Sequence, residues 1–585
     1  MLAISLAIIT AMNKIHPHET GKFISIDSDG NGYYAYLPAL FINKNISDLA
    51  PNKTFTNEVN GRNFIKYPPG TALMQTPFFT GALIYSKLHY NHPDGSEFSF
   101  QIAVLIASLF YLLLGLWFTF NLLINFDLKE KSAFFAITII FLATNLLYYS
   151  LFKASMSHVY SFCSIAGFAY YAQNYSLKKQ FKWFLLAAIS LALVVLIRPF
   201  NLIVLLIVPL FIGSYENFKS QFRIIAQNPK WLLIAGFAAT VLLSIQPILW
   251  YLQTDHWILW SYKNEGFYFL KPEFFNVLFS FKRGLLTYSP VLLLSIPGLF
   301  ILNKQKRWQF LWLSGFLLLL VYLVSCWWNW YYGDGFGHRA FIDYYVLFAF
   351  LIALLFDKCK SSVRFIIILF AIGATVLNLV QTYQYRVGIL HPHSMNADKY
   401  KFVFLKTSSV FIHTLGGNED IVPYSKTAPK LYKTVNNDFE TAQNNWEASN
   451  RVLSSYSKVL KNHVVQFQGN EFGLKLNLPY DTKISGCQKL WGTVSLSRLD
   501  PIPGSSMQTL LVIEKRNTVG ENLYYYTFPI NDIPSQKAEQ LDTFNYSFEM
   551  PCLNNENEFY SIYLWNKNRS HFEIDDFTIS IYRIE

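Results

Sequence analysis

Asp27 and Asp29 lie in the run Ile26-Asp27-Ser28-Asp29-Gly30-Asn31-Gly32-Tyr33-Tyr34-Ala35-Tyr36-Leu37-Pro38. Two carboxylates among glycines suit three kinds of chemistry. An Asx-rich turn is the plain structural reading, because Asp, Asn and Gly are turn formers. A calcium loop is the second: Asp27, Asp29, Asn31 and Gly32 match the first, third, fifth and sixth positions of an EF-hand. Its twelfth position is Pro38, where a bidentate Glu is required, which disfavours calcium. General base catalysis is the third. A carboxylate at the edge of a hydrocarbon layer is partly desolvated, which raises its pKa and improves it as a base. Neighbouring glycines would let a substrate approach the backbone closely.

A second set of groups could hold an anion. His158 sits in Ser155-Met156-Ser157-His158-Val159-Tyr160 and could meet a phosphate or a sugar hydroxyl. A satisfied structural His is the plainer reading. Lys153, Arg198, Lys263, Lys271, Lys282, Arg283 and Arg339 are basic residues away from the main basic loops. Some of these only anchor helix ends. Arg offers bidentate contacts to phosphate, and Arg339 is best placed. It follows the aromatic run Trp327-Trp328-Asn329-Trp330-Tyr331-Tyr332 and the turn Gly333-Asp334-Gly335-Phe336-Gly337-His338. Those rings could stack on sugars or form an interfacial belt.

The elements that must position these groups are mostly membrane helices. The 585 residues are 52% hydrophobic and 15% charged, against about 25% charged in a typical soluble chain. The shortage is concentrated before residue 390, where apolar runs recur at 1–13, 99–126, 132–150, 157–175, 182–197, 199–213, 230–252, 285–303, 308–326, 340–356 and 363–382. Most are near the length of a membrane span, the first, fifth and sixth being shorter, and the count is about eleven. The first is short and lacks a basic start or a small-residue cleavage site, so it reads as a helix rather than a signal peptide. Arg198-Pro199 separates the fifth from the sixth. Residues 70–88 contain Gln75 and Pro77 and read as an interfacial helix.

The net charge of +11 comes largely from short loops between these runs. No basic stripe accompanies it, which argues against a nucleic-acid partner. Lys129 and Lys131, Lys178 and Lys179, Lys219 and Arg223, Lys304 and Lys306, and Lys358 and Lys360 share one side if Arg198-Pro199 divides two spans. By the positive-inside rule that side is the cytoplasm. The N-terminus is then inside. The Asp27/Asp29 stretch, the His158 region, the 253–284 and 327–339 loops and the C-terminal domain are outside.

Beyond a connecting segment at 391–437 the period changes. Alternating runs at Phe472–Leu478, Leu490–Ser497, Gln508–Glu514, Leu523–Phe528, Glu558–Trp565 and Phe572–Tyr582 predict a β-sandwich over 438–585. Cys163, Cys326 and Cys359 fall in or beside apolar runs, while Cys487 and Cys552 could pair if their domain faces an oxidising compartment.

Four stretches together resemble the GT-C superfamily of integral-membrane glycosyltransferases, in particular bacterial enzymes similar to dolichyl-phosphate-mannose-protein mannosyltransferases. They are Asp27-Ser-Asp29-Gly-Asn-Gly-Tyr-Tyr; Lys66-Tyr67-Pro68-Pro69-Gly70; Lys282-Arg283-Gly284-Leu285-Leu286-Thr-Tyr288-Ser289-Pro290; and Gly335-Phe-Gly337-His-Arg339-Ala-Phe-Ile-Asp343. The resemblance covers residues 1–390. It implies a polytopic helical membrane domain there. The soluble all-β domain that follows departs from the C-terminal parts of several members; its Asn437-Asp438-Phe439-Glu440 start and Ile574-Asp575-Asp576-Phe577-Thr578-Ile579 end resemble a jelly-roll-like, carbohydrate-binding β-sandwich. The GT-C resemblance also implies an inverting transfer of sugar from a polyprenyl-phosphate donor to a glycan, lipid or protein acceptor, at the outer face of a bacterial cytoplasmic membrane. Carried over by motif, Asp29 or Asp27 is the base, and Arg339, Arg283 and Lys282 hold the donor phosphate. His158, Tyr33, Tyr67 and Arg198 meet the substrates. No cofactor is firmly implied; a divalent metal is an open option, since some members use one. A flippase of lipid-linked sugars and a non-catalytic glycan-assembly protein are the alternatives. Against the flippase stand the lack of internal repeats and the placement of charges in loops.

Overall fold

The computed structural model describes residues 5, 24–47, 55–89, 92–263, 265–425, 427–440, 446–447, 454–481, 487, 489–535 and 537–584. The apolar run at 1–13 lies outside the described residues, Ser5 apart. Two compact units divide the chain. One runs through Lys263 and takes in Tyr268–Cys326 and Gly335–Thr382; the other holds Asn264–Phe267, Trp327–Asp334 and everything from Tyr383 on. The aromatic run at 327–332, read from sequence as a loop of the membrane part, thus belongs to the second unit.

The first unit is helical. Among the described residues, five helices are long and apolar enough to cross a membrane: Phe98–Asn125, Pro229–Thr254, Arg307–Cys326, Arg339–Lys358 and Ser361–Arg386. A sixth follows if Pro199–Ile212 and Tyr215–Gln227, bent by 114°, count as one span. About eleven spans were expected, and the shortfall has local causes. The run at 132–150 is two helices, Glu130–Leu142 and Leu146–Leu151. They part at Asn145, whose amide donates to Phe336 O and accepts from Tyr345 Oη. The run at 285–303 breaks at Ser289-Pro290 into Leu285–Tyr288, a 3₁₀ turn and Ser295–Gln305, as a proline lacking its N–H requires. Ser157–Lys178 is a full-length helix of 22 residues, but its Ser, Tyr, Asn and Gln lower its hydropathy. It packs between Phe98–Asn125 and Phe181–Ile197. Gly115 allows that approach, since a Cβ there would stand 2.8 Å from the Phe162 ring. Phe181–Ile197 ends at Arg198, whose backbone is extended (φ −150°), and Pro199 opens a 3₁₀ helix to Ile207. Arg198 is therefore a helix break, as the loop charges suggested. Residues Gly70–His89 form a single helix that accommodates Pro77.

The first unit also carries a hairpin, β1 (Thr56–Val59) and β2 (Arg62–Ile65). The second is built from β3 (Lys430–Asn437), β4 (Trp446–Glu447), β5 (Ser454–Tyr456), β6 (His463–Gln468), β7 (Phe472–Pro479), β8 (Lys489–Leu499), β9 (Thr509–Asn517), β10 (Asn522–Pro529), β11 (Leu541–Met550), β12 (Glu558–Asn566) and β13 (His571–Ile584). One sheet runs β10-β9-β12-β7-β4 and the other β11-β8-β13-β6-β5, with β3 on β13. Alternate residues of both sheets, such as Leu476, Leu511 and Ile562 from one and Val494, Phe548 and Ile579 from the other, share one core. This is a two-layer sandwich. β3 lies inside the segment read as a connector, and pairs Asn437 with Phe577. Cys487 and Cys552 form a disulfide beside the core.

Candidate active site

The glycine-rich run is not an open loop. Asp29–Tyr34 is a short helix entered through Ser28 at φ 48°. A Cβ on Gly30 would lie 1.8 Å from Ser155 Oγ, and one on Gly32 would lie 2.3 Å from the Tyr67 ring. The glycines therefore make room for protein side chains, not for a substrate as expected. The calcium-loop reading fails with the loop. Among the described residues, no three His, Cys, Asp or Glu side chains gather in a group fit for a metal ion.

What the helix presents is the Asp29 carboxylate. Its Oδ1 accepts from Tyr67 Oη at 2.9 Å and its Oδ2 from Arg339 Nη2 at 2.9 Å. The Asp29 side chain is 30% exposed and that of Arg339 13%. Burial alone would raise the Asp29 pKa. The Arg339 charge, the hydrogen bonds from Tyr67 and Arg339, and the Lys66 charge outweigh it and hold the carboxyl below its ordinary 3.8. The expected desolvated base is thus, in this state, a stabilised anion. Asp27 is differently held. Lys153 Nζ pairs with its Oδ2 and also donates to Ser28 Oγ. Its Oδ1 is buried without a hydrogen-bond partner. Of the two carboxylates, Asp29 faces the charged cluster.

Tyr67 owes its position to the Lys66-Tyr67-Pro68-Pro69-Gly70 motif. Its carbonyl accepts from Tyr36 Oη, and its ring lies 4.6 Å from that of Tyr33. Gly70 fits against the backbone of Leu196 and Ile197, which a Cβ would meet at 2.5 Å. The motif thus registers the Asp29 contact against the helix end that carries Arg198.

A second charged cluster surrounds Asp343, which is fully buried. Asp343 Oδ1 lies 3.1 Å from His158 Nδ1; Oδ2 accepts from Arg198 Nη1 at 3.2 Å and from Asn201 Nδ2 at 2.6 Å. Asn201 in turn donates to Ser161 Oγ and accepts from Tyr344 Oη. His158, expected to bind substrate, is only 2% exposed and turned to this carboxylate. Charges of both clusters act on Tyr33. Burial pushes its phenol up, while Arg198, Ser157 and Arg339 pull it back and Asp29 adds to the rise.

Arg283 and Lys282, expected at the donor phosphate, are 2% and 7% exposed. Arg283 Nη1 donates to Lys282 O, and its backbone N–H to Ser280 Oγ. Arg283 still belongs to the same neighbourhood, because its charge acts on Tyr149 Oη together with those of Arg339 and Asp29. Gly335 and Gly337 set the approach to Arg339: a Cβ on Gly335 would strike Tyr149 Oη at 2.3 Å, and Gly337 has φ 59°. Asp343, Asn201 and Tyr149 received no role from sequence, and Lys153, read as a candidate anion partner, is set on Asp27. Spacing offered two hints. Asn201 follows Arg198 by three residues and Asp343 follows Arg339 by four, so each is a short polar side chain close in sequence to a basic group already singled out.

No family model matches the sequence, and neither does any curated protein. Solved structures do. The archaeal oligosaccharyltransferase AglB from Archaeoglobus fulgidus, in complex with an inhibitory peptide and a dolichol-phosphate, is 11% identical over 66% of this chain and 55% of its own, with TM-score 0.36. ArnT from Cupriavidus metallidurans, bound to undecaprenyl phosphate, is 11% identical over 65% of this chain and 62% of its own, with TM-score 0.40. The chain spans less than two thirds of the length of either. The CBM22-1 xylan-binding domain from Paenibacillus barcinonensis Xyn10C matches 27% of this chain at 13% identity and TM-score 0.19, over 99% of its own length. The side chains described above, not these distant likenesses, carry the functional reading.

Proposed function

We propose that this chain is a multi-pass membrane glycosyltransferase. It moves a sugar from a polyprenyl-phosphate donor to a hydroxyl of a glycan, lipid or protein acceptor at the outer membrane face. One observation carries this reading: a carboxylate, Asp29, and a guanidinium, Arg339, meet at 2.9 Å in a partly open site. A sugar leaving a phosphate needs both groups. Arg339 holds the donor phosphate, with Arg283 and Lys282 adding positive charge behind it. Asp29 accepts the acceptor's hydroxyl proton. The acceptor oxygen bonds to the anomeric carbon as the carbon–oxygen bond to phosphate breaks, and the electron pair leaves with the phosphate. Attack opposite the leaving group inverts the configuration. Positive charge fixed beside the departing phosphate favours that transition state. Asp343 and His158 hold Arg198 in place, and its charge and that of Asp29 both act on Tyr33. The test is transfer from undecaprenyl-phosphate-linked radiolabelled hexoses by the full-length protein in nanodiscs with membrane glycan acceptors. Wild type should form product and Asp29→Asn should not. Undiminished transfer by Asp29→Asn would sink the mechanism.

A further inference from the structure

The pairing of Asp29 with Arg339 poses a conflict within the proposed reaction. A base must have a lone pair to offer, and a phosphate clamp must have donors to offer. Here each is engaged with the other, and Asp29 has its second oxygen engaged by Tyr67. The neighbouring cations have partners of their own. Arg198 is set on Asp343, which is fully buried and also held by His158 and Asn201. Lys153 is set on Asp27. Asp29 and Asp27 are similarly exposed, 30% and 33%, but differ in what would remain. Asp29 would keep its Tyr67 hydrogen bond if Arg339 moved, whereas Asp27 Oδ1 has no hydrogen-bond partner and its other oxygen would lose Lys153. Of these pairs, Asp29 with Arg339 is the one an arriving anion can open while leaving the carboxylate both reachable and held.

We propose that Arg339 is a shared cation: the donor phosphate draws it off Asp29, so the carboxylate becomes available as a base only once the donor is bound. This rests on the transferase reading above and adds an order to it, donor before acceptor. A planar guanidinium can exchange a carboxylate for a phosphate with the same forked geometry. The exchange removes the largest stabilising influence on the Asp29 anion and brings a negative phosphate near it. The groups that act on Asp29 are Arg339, Tyr67 and Lys66, and it acts in turn on Tyr33 and Tyr149. Of these, Arg339 is the one the phosphate removes. Tyr67 stays and orients the freed carboxylate.

A double-mutant cycle on binding of undecaprenyl phosphate to the full chain in nanodiscs tests this. If carboxylate and phosphate compete for Arg339, Asp29→Asn should tighten binding by about tenfold, within the usual range of coupling between sites. In an Arg339→Gln background the same change should leave affinity unaltered. An equal gain in both backgrounds would mean simple repulsion between Asp29 and the phosphate, and would overturn the exchange. So would no gain in either. Should Arg339→Gln fail to fold, proton uptake on binding decides with two proteins only. Calorimetry in buffers of different ionisation enthalpy should show wild type taking up more protons than Asp29→Asn near pH 5, and equal uptake would refute the exchange. Failure of the transferase reading looks different: undecaprenyl phosphate would not bind at all, or Asp29→Asn would keep transfer.

Discussion

At the residue scale, the two aspartates differ in what holds them, and their substitutions should differ accordingly. Asp29→Asn removes a general base, so transfer should fall by about 10²–10⁴-fold. Asp27→Asn loosens the Lys153 contact without touching the reacting atoms, so the loss should be well below that. Comparing kcat of the two variants checks this, and equal losses would contradict it. Tyr67→Phe deletes one hydrogen bond to the Asp29 anion. A bond to a charged group is worth about 1.5–3 kcal/mol, so the acid limb of kcat/KM for the donor should move up by about one pH unit. The sign follows from the bond, which favours the charged form. A downward shift would be incompatible with it. The same depression sets a stability window. The folded carboxyl titrates below 3.8, so its ion pair stabilises the fold above that pH and ceases to as pH falls through the folded value. Asp29 and Arg339 were legible in sequence because each stands in a short glycine-rich run. Asp343 stood in the same run as Arg339, yet its partners His158 and Arg198 lie 185 and 145 residues away. No local pattern encodes such pairings.

At the element scale, helix breaks place the chemistry. Arg198 lies where Phe181–Ile197 stops, Asn145 where two helices part, and Arg339 where the 3₁₀ turn into Tyr345–Lys358 begins. Apolar period located these runs but did not resolve the breaks at Asn145 and Ser289, because one or two polar residues leave a run apolar on either side. Breaks at buried polar side chains are held by bonds to distant elements. Asp343→Asn removes the charge that Arg198 and His158 share in a fully buried site. Breaking a buried pair costs about 3–5 kcal/mol, so a lower Tm in detergent is expected, with lost transfer even in the protein that stays folded. Helix contacts are equally specific at their glycines. A Cβ on Gly298 would stand 2.1 Å from Leu351 O, a backbone atom that cannot turn aside, so Gly298→Ala should cost about 1–3 kcal/mol. Gly236, also helical, has nothing within 4 Å, and Gly236→Ala should stabilise by about 0.5–1 kcal/mol. Thermal unfolding of the pair checks both, and the same sign for the two would contradict the packing.

At the scale of the whole molecule, composition separated a helical membrane part from a β part, because the two folds bury apolar residues with different periods. β7 to β10, β12 and β13 were legible within a few residues from runs rich in apolar and aromatic residues. β3, β4, β5, β6 and β11 were not singled out, and for β3, β5 and β11 the reason lies in their patterns. β3 and β5 carry little buried surface of their own, and β11 alternates polar residues with Phe544, Tyr546 and Phe548 but follows a long turn-rich stretch. The disulfide was open at the sequence level, since spacing alone does not pair two cysteines. Cys487 and Cys552 are 65 residues apart and their bond packs against the core that both sheets share. Closing a loop of that length restricts the unfolded chain, which is worth about 4 kcal/mol by chain entropy. Bonds of this kind are rare where the surroundings are reducing, so the proposed outer-face location can be tested through them. The full chain carrying Cys487→Ser and Cys552→Ser should therefore show an earlier calorimetric transition for the β unit and an unchanged one for the membrane unit. Dithiothreitol should reproduce the shift in wild type and do nothing to the variant. In cells, a membrane-impermeant thiol reagent applied after reduction should label wild type at both cysteines. Labelling only after the membrane is opened would place the β unit inside and remove the outer-face assignment along with it.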